Sequence, residues 1–179
     1  SKVEEAKREV DRVIKELRED IKRVEEEVDK LIKDHEKLNK ELEDESRKLA
    51  ERVEKLRRDG VPREDVRRAL DDWRRRSEEA LRRSEESLKR IKERVRELLE
   101  RIRKLLKEID DRVEKLREAG VIDEKIVRDI KELLRDLRRE VEKVIERIDR
   151  LIKRLEEESR RLFEESEKAI RELKRRVDK

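Results

Sequence analysis

Few residues in this chain could carry chemistry. It has one imidazole, His35, and a handful of hydroxyls, of which Ser84 could pair with it as nucleophile and base. Such a pair works only with an orienting acid, oxyanion donors and an open pocket, and the sequence signals none of these. Zinc coordination needs several His or Cys ligands, and the chain has a single His and no Cys. Asp34 and Glu36 flank His35, but adjacent helical positions point to different faces. With 53 acidic residues, a chance carboxylate pair carries no information. Neither a phosphate-binding glycine loop nor a calcium-loop pattern occurs. The chain therefore reads as a non-enzyme with no catalytic residue, no metal site and no cofactor.

Basic clusters are the next candidates. Arg74, Arg75 and Arg76 form the densest run, bracketed by Asp71, Asp72, Glu78 and Glu79, while Arg82 and Arg83 are followed by Glu85 and Glu86. The formal charge of +4 is the small difference between 57 basic and 53 acidic residues. Residues 1–59, 60–119 and 120–179 carry −2, +4 and +2, which together give that +4. No segment has the one-signed field of a dedicated nucleic-acid surface, so the clusters read as solvated helix surface. No apolar run approaches the ~20 residues needed to cross a bilayer, and no signal-peptide pattern opens the chain. A soluble chain is expected, without membrane or specific nucleic-acid partners, of the kind recovered from recombinant cytoplasmic expression.

What positions these residues is a strongly periodic pattern. Charged residues make up 61% of the chain and hydrophobic ones 32%, a balance that without periodicity would suggest disorder. The apolar residues, mostly Leu, Ile and Val, instead recur every three or four positions, as on one face of a helix. The first stripe runs from Val3 through Ile14, Leu17, Val28, Leu31, His35, Leu38, Leu42, Ser46 and Val53 to Leu56. The second runs from Val66 through Leu70, Trp73, Ser77, Leu81, Ser84, Leu88 and Ile102 to Leu116. The third runs from Ile126 through Ile130, Leu133, Leu137, Val144, Leu151, Leu155, Ser159, Leu162 and Ser166 to Val177. Gly60 and Gly120, the only glycines, divide the chain almost evenly, and each is followed by Val. That placement suits a left-handed residue after a helix, with the Val closing a Schellman-type cap. Pro62 fits the first turn of a second helix and Asp123 the N-cap of a third. The expectation is an all-α, elongated, up-down-up three-helix bundle, antiparallel and coiled-coil-like, with helices of about 55 residues over 2–58, 62–118 and 123–178 in a single domain, 1–179.

Antiparallel packing turns the glycines into a ruler. Position i of helix one lies beside about 121 − i of helix two, and helix-three positions follow those of helix one by about 120. Measured so, Ser46, Ser77 and Ser166 share one height with the aromatics Trp73 and Phe163 close by. His35, Asn39, Ser84, Ser87 and Ser159 share another. Apart from Ser1, every Ser belongs to one of these bands. They predict two hydrogen-bonded polar layers inside an aliphatic core, which would penalise register slips. Trp73 and Phe163 read as large core or core-edge fillers where the small Ser and Ala residues leave volume.

These features resemble those of de novo designed helical bundles, particularly parametric ones with built-in hydrogen-bond networks. The resemblance rests on Gly60-Val61-Pro62 and Gly120-Val121 as loops, the regular Leu/Ile/Val stripes, the Ser, His35 and Asn39 layers, and an alphabet without Thr or Gln. Ser1 reads alongside them as a scar of tag removal. The resemblance implies a structural scaffold with no natural activity. Narrow stripes point to a monomer without partners. The alternative is an assembly or switch component that self-associates or accepts a designed partner helix, for which the doubled positions Ile126–Val127, Leu133–Leu134, Val144–Ile145 and Leu151–Ile152 could supply a contact.

Overall fold

The computed structural model describes residues 1–178. Lys179, the last residue of the expected 1–179 domain, lies outside the described residues. Three α-helices account for nearly all of the chain: α1 (Lys2–Arg58), α2 (Arg63–Glu118) and α3 (Glu124–Asp178). Their exposed faces are built from Glu, Lys and Arg, which lose little rotamer freedom in a helix. Opposite charges meet one turn apart, as in Arg47–Asp44, Arg57–Glu54 and Arg75–Asp72.

Both turns close through the same backbone bonds. The Val61 amide donates to the Leu56 carbonyl and the Gly60 amide to that of Arg57, each at 3.3 Å, which is a Schellman motif. Val121 and Gly120 repeat it on Leu116 and Arg117, each at 3.0 Å. Gly60 and Gly120 take φ of +72° and +71°, a region in which a Cβ crowds the following carbonyl. Pro62 stands just before α2 rather than inside its first turn, and its carbonyl accepts the first helical bond from Val66. Asp123 caps α3 by accepting from the Ile126 amide at 2.9 Å. Ser1 does the same for α1, its Oγ accepting from the Glu4 amide at 3.3 Å, so a residue read as a scar works as an N-cap.

The chain forms two compact units, each assembled from all three helices. One comprises Ser1–Lys30 with Lys92–Arg150 and contains the Gly120 turn. Its buried residues are aliphatic, among them Leu17, Val28, Ile102, Val113, Leu134, Leu137 and Ile148. Ion pairs mark the helix directions: Glu9–Arg112 and Glu27–Arg94 join α1 to α2, and both pairs of numbers add to 121. Asp29–Arg147 joins α1 to α3 in parallel, while Glu114–Lys131 and Asp110–Arg138 join α2 to α3 in antiparallel.

The other unit comprises Leu31–Ile91 with α3 from Leu151 onward and contains the Gly60 turn. Beside that turn Val53, Val66, Leu70, Trp73, Ile170, Leu173 and Val177 form an apolar cluster, with Leu56 and Val61 packed against it. Arg67–Asp178 and Arg176–Glu54 tie α3 to the other two helices.

The α3 stripe differs from its expected line. Val127, Leu134 and Ile152 are buried, whereas Ile126, Leu133 and Leu151 are half-buried. Ile32 and Leu106 likewise take the interior in place of Leu31 and Leu105. Where two apolar residues are adjacent, either can continue a repeat of three and four, and only packing against the facing helices selects one. Ile122, in the second loop, is also buried and extends the core beyond the stripe.

A Cβ at Gly60 or Gly120 would meet nothing within 4 Å, so the cost of adding one is conformational alone. Gly60→Ala and Gly120→Ala should each lower stability by about 1–2 kcal/mol, read from guanidinium unfolding midpoints. Substitution by Asn, which tolerates the left-handed region, should cost less.

Candidate functional site

Among the described residues, all the buried polar side chains belong to the second unit. They are His35 and Asn39 of α1, Ser84 of α2 and Ser159 of α3, each no more than 8% exposed. Helical spacing puts each on an inward stripe, so the backbone that buries leucines elsewhere buries a hydroxyl, an amide and an imidazole here.

They satisfy one another across all three helices. Asn39 Nδ2 donates to Ser159 Oγ at 3.2 Å. Ser84 Oγ lies 2.9 Å from Ser159 Oγ and 3.2 Å from Asn39 Oδ1, and its single proton can serve either. His35 Nδ1 is 2.9 Å from the Oγ of half-buried Ser87, and Nε2 is 3.4 Å from Ser159 Oγ. One assignment uses every group: Nδ1–H donates to Ser87, and the Ser159 hydroxyl donates to Nε2 while accepting from Asn39. Among the described residues no buried side-chain nitrogen or oxygen lacks a partner.

One heptad further on, a second layer is built around Trp73. Its indole Nε1–H donates to Ser46 Oγ at 3.2 Å, and Ser46 Oγ is 3.0 Å from Ser166 Oγ. Trp73 is 1% exposed, and its N–H makes it a member of the polar layer as well as a large buried side chain. The signal was available, since a buried indole N–H needs an acceptor and Ser46 stands at the right height. Ser77 is half-buried and takes no part in these hydrogen bonds.

Between the layers the core is open. From Ile32 to Val53 in α1, from Trp73 to Leu88 in α2 and from Leu155 to Ile170 in α3, no apolar side chain is fully buried. A cavity of about 240 Å³ lies there, with Asn39, Ser84 and Ser159 towards one end and Ser46, Ser166 and Trp73 towards the other. Ser77, Ala80, Leu42, Leu81 and Leu162 line it. Phe163 stands half-buried on its wall and does not fill it. It follows the stripe position Leu162 by one residue, about 100° around the helix, and so is aimed aside.

The other candidates stay dispersed. Asp34 and Glu36 are exposed, turned away from the buried face of His35. No cluster of three His, Cys, Asp or Glu able to hold a metal occurs among the described residues. The ring nitrogens of His35 meet Ser87 and Ser159 rather than Ser84. Within the arginine run, Arg75 and Arg76 both pair with Asp72, at 2.7 and 3.2 Å. The hydrogen bond from Arg75 holds the Asp72 carboxyl below its ordinary range. No helix among the described residues is long and apolar enough to cross a membrane.

No protein-family model matches the chain, and no curated protein matches it. Among solved structures, a computationally designed three-helix bundle is similar, with a TM-score of 0.56 and 22% identity over 98% of this chain and 87% of that one. At this identity the likeness is one of fold.

Burial lowers the pKa of His35 below its ordinary value, against a smaller opposing pull from Glu36. The folded state then binds fewer protons than the unfolded one. Stability should be full above the unfolded value of about 6.5 and fall as pH drops from there through the depressed folded pKa. Protonation could still be hydrogen-bonded, with Nε2–H donating to Ser159 and Ser159 turning to Asn39 Oδ1 at 3.4 Å. The loss comes from burying charge without a counterion. Unfolding midpoints between pH 7 and 5.5 should decline in the parent and stay flatter in His35→Gln. Equal slopes would show that His35 is not the group responsible.

Proposed function

We propose that this chain is a designed structural scaffold without natural biochemical activity, whose polar layers specify helix register. The observation that carries the reading is the His35–Asn39–Ser84–Ser159 network, which spans three helices and leaves no buried polar atom unpartnered among the described residues. Leucine, isoleucine and valine layers are nearly interchangeable, so an aliphatic core accepts whatever small offsets and alternative helix pairings the two turns still allow. A network does not, because a slip strands an amide and hydroxyls at about 1–3 kcal/mol each. The regular composition, the paired Gly-Val turns and the shared fold with a designed bundle support the same reading.

The scaffold is a monomer in this reading, supported by the absence of exposed large apolar side chains among the described residues. A specific observation favours the alternative of an assembly component. Ile126, Ile130, Leu133 and Val144 follow one face of α3 and are only half-buried, so a second copy or a partner helix could cover them.

Sedimentation equilibrium separates the two, since a monomer gives one species at the 22.1 kDa chain mass across micromolar concentrations. Asn39→Leu should keep full helicity and equal or raise the melting temperature, because Ser84 and Ser159 still bond each other. Replacing His35, Asn39 and Ser159 together by Leu, Leu and Ala should retain helicity but lose uniqueness. Amide NMR peaks should broaden, and species other than the parent's should sediment. A triple variant with sharp peaks and one species would remove the register role.

A further inference from the structure

We infer that the cavity between the polar layers is a binding site for a small uncharged aromatic alcohol, of the size of a phenol bearing a short alkyl chain. Volume comes first. A dry apolar cavity of about 150 Å³ takes benzene, so about 240 Å³ has room for a ring, a hydroxyl and two or three further carbons. It falls below the ~300 Å³ at which drug-sized pockets begin, which sets an upper bound on the ligand.

The walls choose the class. Leu42, Leu81 and Leu162 supply apolar surface, and half-buried Phe163 adds an aromatic side chain at the wall. Apart from the Ser77 hydroxyl and the exposed charged side chains, hydrogen-bonding groups lie towards the ends. A serine hydroxyl has one proton and two acceptor sites; Ser46 already accepts from the Trp73 N–H, and with Ser166 donating to it both its sites are filled, so Ser166 is the hydroxyl left to accept from a ligand O–H. The charged lining residues, such as Arg47, Arg76 and Glu165, are all exposed. An ionised ligand would therefore shed its hydration inside without a buried counter-charge. The layers lie seven residues apart on α1 and α3, about 10 Å of rise. That spacing matches a substituted ring lying along the helices, with its hydroxyl at the Ser46–Ser166 end.

The inference does not depend on the register role, because the cavity follows from side-chain size, and the two can fail separately. Trp73 is the only tryptophan, so its indole N–H gives a single NMR resonance at one end of the site. With 4-propylphenol, that resonance should shift saturably and calorimetry should register one site per chain. Propylbenzene, lacking the hydroxyl, should bind three- to tenfold more weakly, in line with one net hydrogen bond. The 4-propylbenzoate anion should give no saturable shift. Ser77→Leu and Ala80→Phe fill the cavity from outside the networks, and each should reduce 4-propylphenol affinity at least tenfold. Ser77→Leu is the smaller change, and circular dichroism reports whether either variant keeps its helicity. Ser166→Ala should abolish the preference for the phenol over propylbenzene. The inference is overturned if 4-propylphenol gives no saturable shift up to its solubility limit. It is equally overturned if a helical Ser77→Leu binds as tightly as the parent, or if the shift follows protein self-association in sedimentation velocity.

Discussion

An amide, an imidazole and two hydroxyls buried among hydrocarbon side chains find their hydrogen-bond partners in one another and in half-buried Ser87. Asn39 and Ser159 meet only if α1 and α3 run parallel at an offset of 120 residues, and Ser84 reaches both only if α2 runs the other way. Most of the molecule accommodates that condition. The offset recurs between Ser46 and Ser166, and it is held within two residues by Glu54–Arg176 and Asp29–Arg147. Exposed ion pairs contribute little individually, and aliphatic layers tolerate slippage. The buried polar contacts are thus the interactions with most to lose from a wrong register.

The same condition explains what could be read from the sequence. Helices, turns and directions were legible because each is announced locally, by a three-four repeat, by glycine at a left-handed position or by Asp123 at an N-cap. The height of the polar residues was legible because two short turns leave antiparallel helices little freedom of offset. Counting from Gly60 and Gly120 therefore put Asn39 level with Ser159 and Ser46 level with Ser166, the pairs that bond in the structure.

What could not be read lies around the helix axis rather than along it. Val127 and Leu134 face inward instead of Ile126 and Leu133 because facing helices decide between adjacent apolar residues, and a single stripe does not encode its neighbours. Phe163 sits level with the gap left by the serines, yet one position off the stripe, so height alone was misleading. For Trp73, the indole is polar as well as large, and its N–H bond to Ser46 does not follow from size alone.

Serine also links the network to the cavity. A hydroxyl can complete a buried layer, but its side chain is much smaller than the leucine it replaces, so every serine on a stripe removes volume from the core. Single methylene changes are already felt in a close-packed interior, and Ser46, Ser77, Ser84, Ser159 and Ser166 lie within one heptad of helix length. Trp73 restores part of the volume beside the Gly60 turn, and the larger His35 and Asn39 fill the other layer. Between them only Ala80, Ser77 and half-buried leucines remain, too small or too far out to close the gap. The serines that complete the hydrogen-bonded layers thereby leave an apolar pocket with hydrogen-bonding ends, and larger side chains at Ser77 or Ala80 would close it without disturbing either network.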